Sequence, residues 1–402
     1  MDTVFDRLGV RPIINALGPA TRLSGGIMRP EVAEAMAQAS QHCVDMAELQ
    51  ARACEIIARI TGAEAGYVTS GAAAGLLLGT AACVTGLDPA KMNALPNTAG
   101  MRNRVVMPRS HRNFYDHAVR AAGVELVEVG IADRYSGAGV RDCEAWEIAA
   151  AIDERTAAVC YVAYVHSLPP LDEVVEVAHR AGVPVLVDAA GQLPPASNLQ
   201  RFISLGADLV AFSGGKAIGG PQSSGILCGR RDLIAAAALQ HLDMDVLPRL
   251  WRPPARLVDR SRLPGAPQHG IGRPCKVGKE EIVGLLTALG IFVAEDPEER
   301  RRRWRGLMDA LVEACRGVRH VKVEVVADAK RSEIPVVRLR LSEAAAGMTA
   351  LDLVEQLQDG QPAIHAGSGQ VADGVVTFGP LCLKEEEPAL IGRRLREILG
   401  GQ

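Results

Sequence analysis

Between Arg104 and Gly215 the chain repeats one pattern: a short, apolar run, then a stretch with helical spacing, then another run. The runs are "RVVMPR", "VELVEVG", "TAAVCYVAYVHS", "VPVLVDAAG" and "ADLVAFSGG"; helices such as "PPLDEVVEVAHRAG" and "QLPPASNLQRFISLG" lie between them. A strand apolar on both faces must be covered on both, and strands joined through helices run parallel. The pattern predicts an α/β domain of three α/β/α layers around a mostly parallel sheet.

The flanking sequence extends this plan. Pro30 to Thr61 keeps helical spacing, with Pro30 suited to a first turn. Tyr67 to Thr69 read as a short strand, Ser70-Gly71 as a turn, and Ala72 onward as a helix of small residues. "HRNFYDHAVRAAG" reads as a helix closed by Gly123. "RLWRPPARLVDRSRLPGAPQHGIGRP" is dense in Pro, Arg and Gly and reads as a loop-rich connection between domains. Beyond it, "KEEIVGLLTALGIFVAE", "PEERRRRWRGLMDALVEACRG" and "EEPALIGRRLREILG" are helical, while "VKVEVV", "PVVRLRLS" and "GVVTFGP" are strands of a small α+β domain. The expected organisation is an N-terminal segment (1–25) at the active site or a dimer interface, a large domain (26–250), a linker with a connecting helix (251–290), and a small C-terminal domain (291–402).

Composition removes several function classes. A net charge of −3 and 3% aromatic residues leave neither an electrostatic footprint nor a stacking platform for nucleic acid. The basic run "EERRRRWR" at a helix start reads as a solvated face. Nine cysteines, odd in number and without a C-x-x-C pair, point to a reducing compartment with no structural zinc and no disulfide framework. The opening "MDTVFDRLGVRPIINALG" carries acids early and is no secretory signal, and no apolar stretch reaches membrane-spanning length. The expectation is a cytoplasmic protein with no membrane and no nucleic-acid partner.

Four features converge on one end of such a sheet, because ligands of open α/β sheets lie beyond the carboxyl ends of the strands. Ser70, Gly71 and Ala72 form a turn at a helix start, which serves either tight packing or a phosphate on the positive helix end. Asp188 follows four apolar residues in "VPVLVDAAG" and is either a structural cap or ion pair, or the partner of a cationic heterocycle. Lys216 stands in "AFSGGKAIGGPQSSGILCG", 28 positions after Asp188, one βαβ step away. Lysine there is either a solvated loop residue or an amine that gives up its proton beside a ligand. It is not a Walker lysine, since Ala217 follows it and Val210 stands where that motif wants Gly. His111, just after "RVVMPR", is either a helix-start histidine held by a hydrogen bond or a flat ring against a cofactor.

Together, a phosphate cradle, a carboxylate, a lysine and a flat ring are what pyridoxal 5′-phosphate requires: the lysine forms a Schiff base, the acid keeps the ring nitrogen protonated, and the cradle holds the phosphate. The lysine loop "SGGKAIGGPQSSGILCG", the opening "PIINALGPATRLSGGIMRPEVAEAM" and "AHRAGVPVLVDAAGQLPP" resemble the selenocysteine synthase (L-seryl-tRNA selenium transferase) group of fold-type I pyridoxal-phosphate enzymes, nearest its D-glucosaminate-6-phosphate ammonia-lyase branch. The likeness runs from about Arg11 to Gly229 and more loosely to the C-terminus. The resemblance implies Lys216 as the cofactor lysine and Asp188 as partner of the ring nitrogen. Ser70, Gly71, Ala72 and Ser213 become phosphate ligands, with Gly220 in the same loop. His111 becomes the stacking residue, with His166 or Gln192 at the ring edge. It also implies a homo-oligomer, a dimer or a multiple of dimers with shared active sites, in which Gly219 to Gln222 line the neighbour's phosphate. Two departures matter: the group carries an N-terminal region for tRNA where this sequence opens almost directly on "RPIINALG", which with the charge of −3 sets the expectation against a tRNA substrate, and Gly215 stands where an acidic residue often precedes the lysine.

The expected reaction is removal of the Cα proton from a small-molecule amino acid, then loss of a β-hydroxyl, giving a 2-oxo acid and ammonia. The same site would perform aldol cleavage, racemisation or amine transfer if the substrate were held differently, and a catalytically inactive ligand-binding relative is the non-enzyme alternative. Arg22, Arg273, Lys276 and Arg340 are the candidate clamps for the substrate carboxylate, with Arg22 and Arg273 in glycine-flanked loops preferred.

Overall fold

The computed structural model describes residues 3–131, 142–327 and 333–400. The chain divides into two compact units, Met28–Val293 and a smaller one made of Met1–Ile27 with Ala294–Gln402. The strands, in chain order, are β1 (Ile13–Asn15), β2 (Ala65–Thr69), β3 (Arg104–Pro108), β4 (Glu125–Val129), β5 (Thr156–Val162) and β6 (Val185–Asp188). They continue with β7 (Leu209–Ser213), β8 (Gly225–Gly229), β9 (Val321–Val326), β10 (Val336–Leu341), β11 (Ala363–His365), β12 (Gly367–Gln370) and β13 (Val375–Phe378).

In the larger unit seven strands form one sheet in the order β2-β8-β7-β6-β5-β3-β4. β8 runs antiparallel to both neighbours and every other pair is parallel. The carboxyl ends of β2, β3, β5, β6 and β7 therefore share one edge of the sheet. Successive residues enter opposite cores: Tyr67, Val105, Leu186 and Leu209 on one face, Val68, Val106, Val187 and Val210 on the other. This is the burial on both faces that the apolar runs predict. The helix Ala72–Thr85 is buried on nearly every side from Ala74 onward, so its residues are small. A Cβ at Gly79 would stand 3.1 Å from the Leu186 side chain. β2 is an edge strand, and its open side is closed by the buried Gln50, whose amide donates to the Val68 carbonyl (2.8 Å) and accepts from the Val68 N–H (3.1 Å).

Four expectations need correction. The helical stretch from Pro30 to Thr61 is two helices, Pro30–Ser40 and Met46–Thr61, because Asp45 caps the second by accepting from Ala47 and Glu48 N–H. "HRNFYDHAVRAAG" holds only a short helix, Asp116–Arg120, after a single 3₁₀ turn at Arg109–His111. β8 went unread, although "GILCG" is a buried run between two glycines. The Pro- and Arg-rich stretch before Pro274 belongs to the larger unit, with Trp251, Leu257 and Val258 in the core that holds Tyr67 and Leu209. It is irregular backbone pinned to a core, and composition alone does not distinguish that from a linker.

The smaller unit has a four-stranded antiparallel sheet, β12-β13-β10-β9, and a parallel pair, β1 with β11. The N-terminal segment thus contributes a strand to this unit, which no pattern in 1–25 announced. Met308, Leu311, Leu339, Leu353, Ile391 and Leu395 build its core from the sheet and the helices Pro297–Ala314, Ala350–Asp359 and Glu387–Leu399. Within the basic run, Arg301 pairs with Glu298, Arg303 with Glu295 and Arg305 with Asp309. Among the described residues no helix is long and apolar enough to cross a membrane.

Candidate active site

Register fixes which residues meet. Thr69 pairs with Gly225, and Gly225 with Ser213, so the turn after β2 and the lysine loop after β7 flank the start of β8. One strand further on, Ala211 is aligned with Asp188 and Asp188 with Val162. Ser70, Asp188, Ser213 and Lys216 therefore belong to one sheet edge.

Gly71 has φ +134°, a conformation that disfavours side chains, and the helix beginning at Ala72 has no side-chain cap. Its first-turn N–H groups lack intrahelical acceptors and sit at the positive helix end. β8 presses against this turn: a Cβ on Gly225 would lie 2.5 Å from the Gly71 carbonyl carbon and 2.7 Å from the Ala72 nitrogen. The Ser70 hydroxyl donates to the Cys275 carbonyl at 2.8 Å.

The lysine loop is packed rather than loose. Gly214 N–H donates to the Ser224 carbonyl, Gly220 N–H to Gly214 and Gly219 N–H to Lys216. A Cβ on Gly214 would meet Ser224 Oγ at 2.3 Å, and one on Gly220 would approach the Gly214 carbonyl oxygen at 3.1 Å. At Gly215 it would meet Gln222 Cα at 2.7 Å, so an acidic residue there has no room in this chain.

Asp188 is buried and accepts one hydrogen bond, from Ala190 N–H at 3.0 Å. Burial pushes its carboxyl above the ordinary range, opposed by that bond and by the charge of Lys216. Lys216 is half-buried, and a Cβ on Gly191 would lie 4.0 Å from its Nζ. Burial holds its amine below the usual lysine value, with Asp188 pulling the other way. His111 is fully buried, stands edge-to-face on Tyr161 (4.7 Å, 89°) and accepts through Nδ1 from Val162 N–H at 3.2 Å. The ring is held by that hydrogen bond and by its contact with Tyr161.

The remaining candidates scatter. His166 is exposed in the turn after β5, and Gln192 is half-buried, its carbonyl accepting from Asn198. Arg22 and Arg340 belong to the smaller unit; both are exposed, and Arg340 donates to the Asp373 carbonyl. Arg273 and Lys276 belong to the larger unit and line a cavity of about 320 Å³ together with Gln50, Tyr67 and His241. Arg273 is paired with Asp243. Sequence reasoning missed the Cys275 carbonyl that receives the Ser70 hydroxyl, and Tyr67 and His241, which are hydrogen-bonded in line behind it. The glycines of "HGIGRP" were the available signal, since Gly270 and Gly272 both lie against Gln240.

The architecture is that of the fold-type I pyridoxal-phosphate enzymes. Within that class the chain belongs to the family of L-seryl-tRNA selenium transferase and D-glucosaminate-6-phosphate ammonia lyase. The family description "L-seryl-tRNA selenium transferase" matches residues 108–249. The D-glucosaminate-6-phosphate ammonia lyase of Salmonella typhimurium is 32% identical over 403 residues, 98% of this chain and 97% of the relative. A 5′-C-glycyluridine monooxygenase-decarboxylase from Streptomyces is also 32% identical, over 98% of this chain and 92% of its own. A solved structure of D-glucosaminate-6-phosphate ammonia-lyase matches with a TM-score of 0.80 at 31% identity, covering 99% of this chain and 98% of that one.

Proposed function

We propose that this protein is a pyridoxal-phosphate-dependent lyase that acts on a hydroxylated, sugar-derived amino acid and releases ammonia and a 2-oxo acid. The observation that carries this reading is the meeting of Lys216, Asp188 and the uncapped helix start at Ala72 on one sheet edge. These residues fit the cofactor: Gly225 lets β8 approach the turn that would take the phosphate, and a Cβ there would collide with that turn. Full-length likeness to an ammonia lyase supports loss of ammonia as the reaction.

Bound pyridoxal phosphate supplies an electron-withdrawing ring that stabilises negative charge at the substrate Cα. The residues of the chain do the rest. Ser70, Gly71, Ala72, Ser213 and Gly220 would hold the phosphate, with the first-turn N–H groups as donors. Asp188 would partner the ring nitrogen and hold a proton on it. His111, held by Val162 and Tyr161, would be the residue against which the ring stacks, with His166 or Gln192 at its edge. Lys216, whose amine burial already favours in neutral form, takes the Cα proton. The β-hydroxyl then departs as water, and water returns at Cα to free ammonia, so the amino acid becomes a 2-oxo acid with no net redox change. Arg273 and Lys276, on one cavity wall, are the preferred carboxylate clamps over Arg22 and Arg340. The working protein is a cytoplasmic homo-oligomer that shares its active sites between copies.

The test is a panel of simple and sugar-derived β-hydroxy amino acids, with ammonia and 2-oxo acid measured together. Purified protein should carry a near-visible absorption band that borohydride bleaches. Absence of ammonia across the panel defeats the lyase reading. The equally similar relative named for monooxygenation and decarboxylation makes carbon dioxide release under oxygen the second reading, tested by measuring carbon dioxide on the same panel in air.

A further inference from the structure

Four polar groups of the larger unit close a circuit behind the turn at Ser70. The Tyr67 hydroxyl lies 2.9 Å from His241 Nδ1, and the two rings meet edge-to-face at 5.5 Å. His241 Nε2 lies 2.9 Å from the Cys275 carbonyl oxygen, which also receives the Ser70 hydroxyl. Chemistry assigns every proton in this circuit. A carbonyl oxygen only accepts, so Nε2 carries the hydrogen. Burial holds His241 below its ordinary value, so the ring is neutral and Nδ1 is a bare acceptor. Tyr67, buried and held protonated, must then donate to it. Both lone pairs of the Cys275 carbonyl are thus engaged, and the single proton of Ser70 points at protein rather than at the Ala72 helix start.

The segment bearing that carbonyl is anchored independently. Gly272 N–H donates to the Gln240 carbonyl (2.9 Å) and Ile271 N–H to Gln240 Oε1 (3.2 Å). A Cβ on Gly270 would meet Gln240 Cα at 2.5 Å, and one on Gly272 would meet a Leu78 methyl at 2.3 Å. Gln240 and His241, neighbours at the end of the helix Arg231–His241, therefore hold the 270–275 segment at both ends.

We infer that Tyr67 and His241 are positioning residues for the phosphate turn: His241, oriented by Tyr67, gives the Cys275 carbonyl a permanent donor, so that Ser70 can turn its own proton onto a phosphate oxygen. The inference rests on the pyridoxal-phosphate reading, because the phosphate is that cofactor's. A phosphate dianion offers only acceptors, so Ser70 contributes only as a donor. Without His241, turning Ser70 away would leave a half-buried carbonyl with no donor, and that desolvation would consume the gain. Neither residue touches reacting atoms. Both act through Ser70.

The experiment titrates the full chain with pyridoxal phosphate and with pyridoxal, which has the same aldehyde and no phosphate. Tyr67→Phe keeps the buried ring, and His241→Phe removes both ring nitrogens. Each should weaken pyridoxal phosphate binding, His241→Phe by about tenfold and Tyr67→Phe by less, with pyridoxal unchanged. In a Ser70→Ala background the loss caused by either variant should vanish. Equal losses for the two aldehydes, or losses that persist without Ser70, overturn the inference and leave the function reading intact. A wild-type chain that takes up neither aldehyde defeats both. Nitrogen-15 spectra of the histidines give a readout free of cofactor and activity: a resonance missing in His241→Phe must show the Nε2–H tautomer, and an Nδ1–H tautomer overturns the inference.

Discussion

Two of the buried aspartates of the larger unit lie at opposite ends of its parallel strands, and they are furnished very differently. Asp208, just before β7, accepts from Val185 N–H at 2.8 Å, from His179 at 2.8 Å and from Arg230 at 3.2 Å. Both of its oxygens are engaged by protein. Asp188, at the carboxyl end of β6, accepts one backbone N–H among the described residues and feels the charge of Lys216. A buried carboxylate normally finds full satisfaction inside the fold. Asp208 is satisfied within the fold, whereas among the described residues Asp188 receives a hydrogen bond on only one of its oxygens. Lys216 is furnished in a similar way, with the charge of Asp188 opposing the effect of its burial.

The sharpest break in that contrast comes from the lysine. Lys216→Ala should leave the fold intact, abolish the borohydride-sensitive band and lower turnover by at least about 10³-fold. A variant that keeps the band would place the cofactor elsewhere. The two aspartates should then separate cleanly. Asp188→Asn should lower turnover by about 10²–10³-fold while the melting temperature holds or rises. Asp208→Asn should destabilise the chain by about 1–3 kcal/mol, because its three donors lose a charged acceptor, yet the folded fraction should take up pyridoxal phosphate normally. Matching stability losses in both variants would erase the distinction.

Titration refines the same pair. Asp188 is raised in the folded chain, so between its ordinary 3.8 and that raised value the native state holds more protons than the unfolded chain. Stability contributed by this group is therefore lost as pH rises through that window. Lys216 is lowered, so between its folded value and 10.5 the native state holds fewer protons and stability grows with pH. Urea midpoints of the cofactor-free chain should lose the first slope in Asp188→Asn and keep the second. An unchanged acid-side difference between wild type and variant would show Asp188 to be already satisfied.

How much of this was legible in advance follows from what each feature needs. The sheet was readable because burial on both faces imposes continuous apolar runs, and Asp188 and Lys216 because chemistry-bearing residues ended two of those runs. β8 was less legible: its five residues, flanked by glycine, look like the tail of the lysine loop. The break at Gln41–Asp45 hid because its cap is a single Asp side chain inside an otherwise helical pattern. The strand β1 was invisible because its partner, β11, lies some 350 residues away. The circuit behind Ser70 could not be read at all, since it joins a strand, a helix end and a backbone carbonyl separated by about 170 and 30 residues. Periodicity reports on faces, not on which distant polar atoms complete one another.

Glycine carries the same division between residues that serve the fold and residues that serve a ligand, and supplies the smallest predicted effect. At Gly225 a methyl group would strike the backbone of Gly71 and Ala72, neither of which can yield as a side-chain tip does. Gly225→Ala should weaken pyridoxal phosphate binding by about tenfold or more, by pushing the turn away from β8. Gly290, on the exposed face of the helix Lys279–Ala294, has nothing within 4 Å of its would-be Cβ. There the helical φ suits any residue, and glycine only adds freedom to the unfolded chain. Gly290→Ala should therefore raise stability by about 0.5–1 kcal/mol with cofactor uptake and turnover unchanged, read as a shifted urea midpoint at constant slope. A loss of cofactor affinity in Gly290→Ala would mean that this helix face meets something in the working assembly, and that face would then belong with Gly225 rather than with the scaffold.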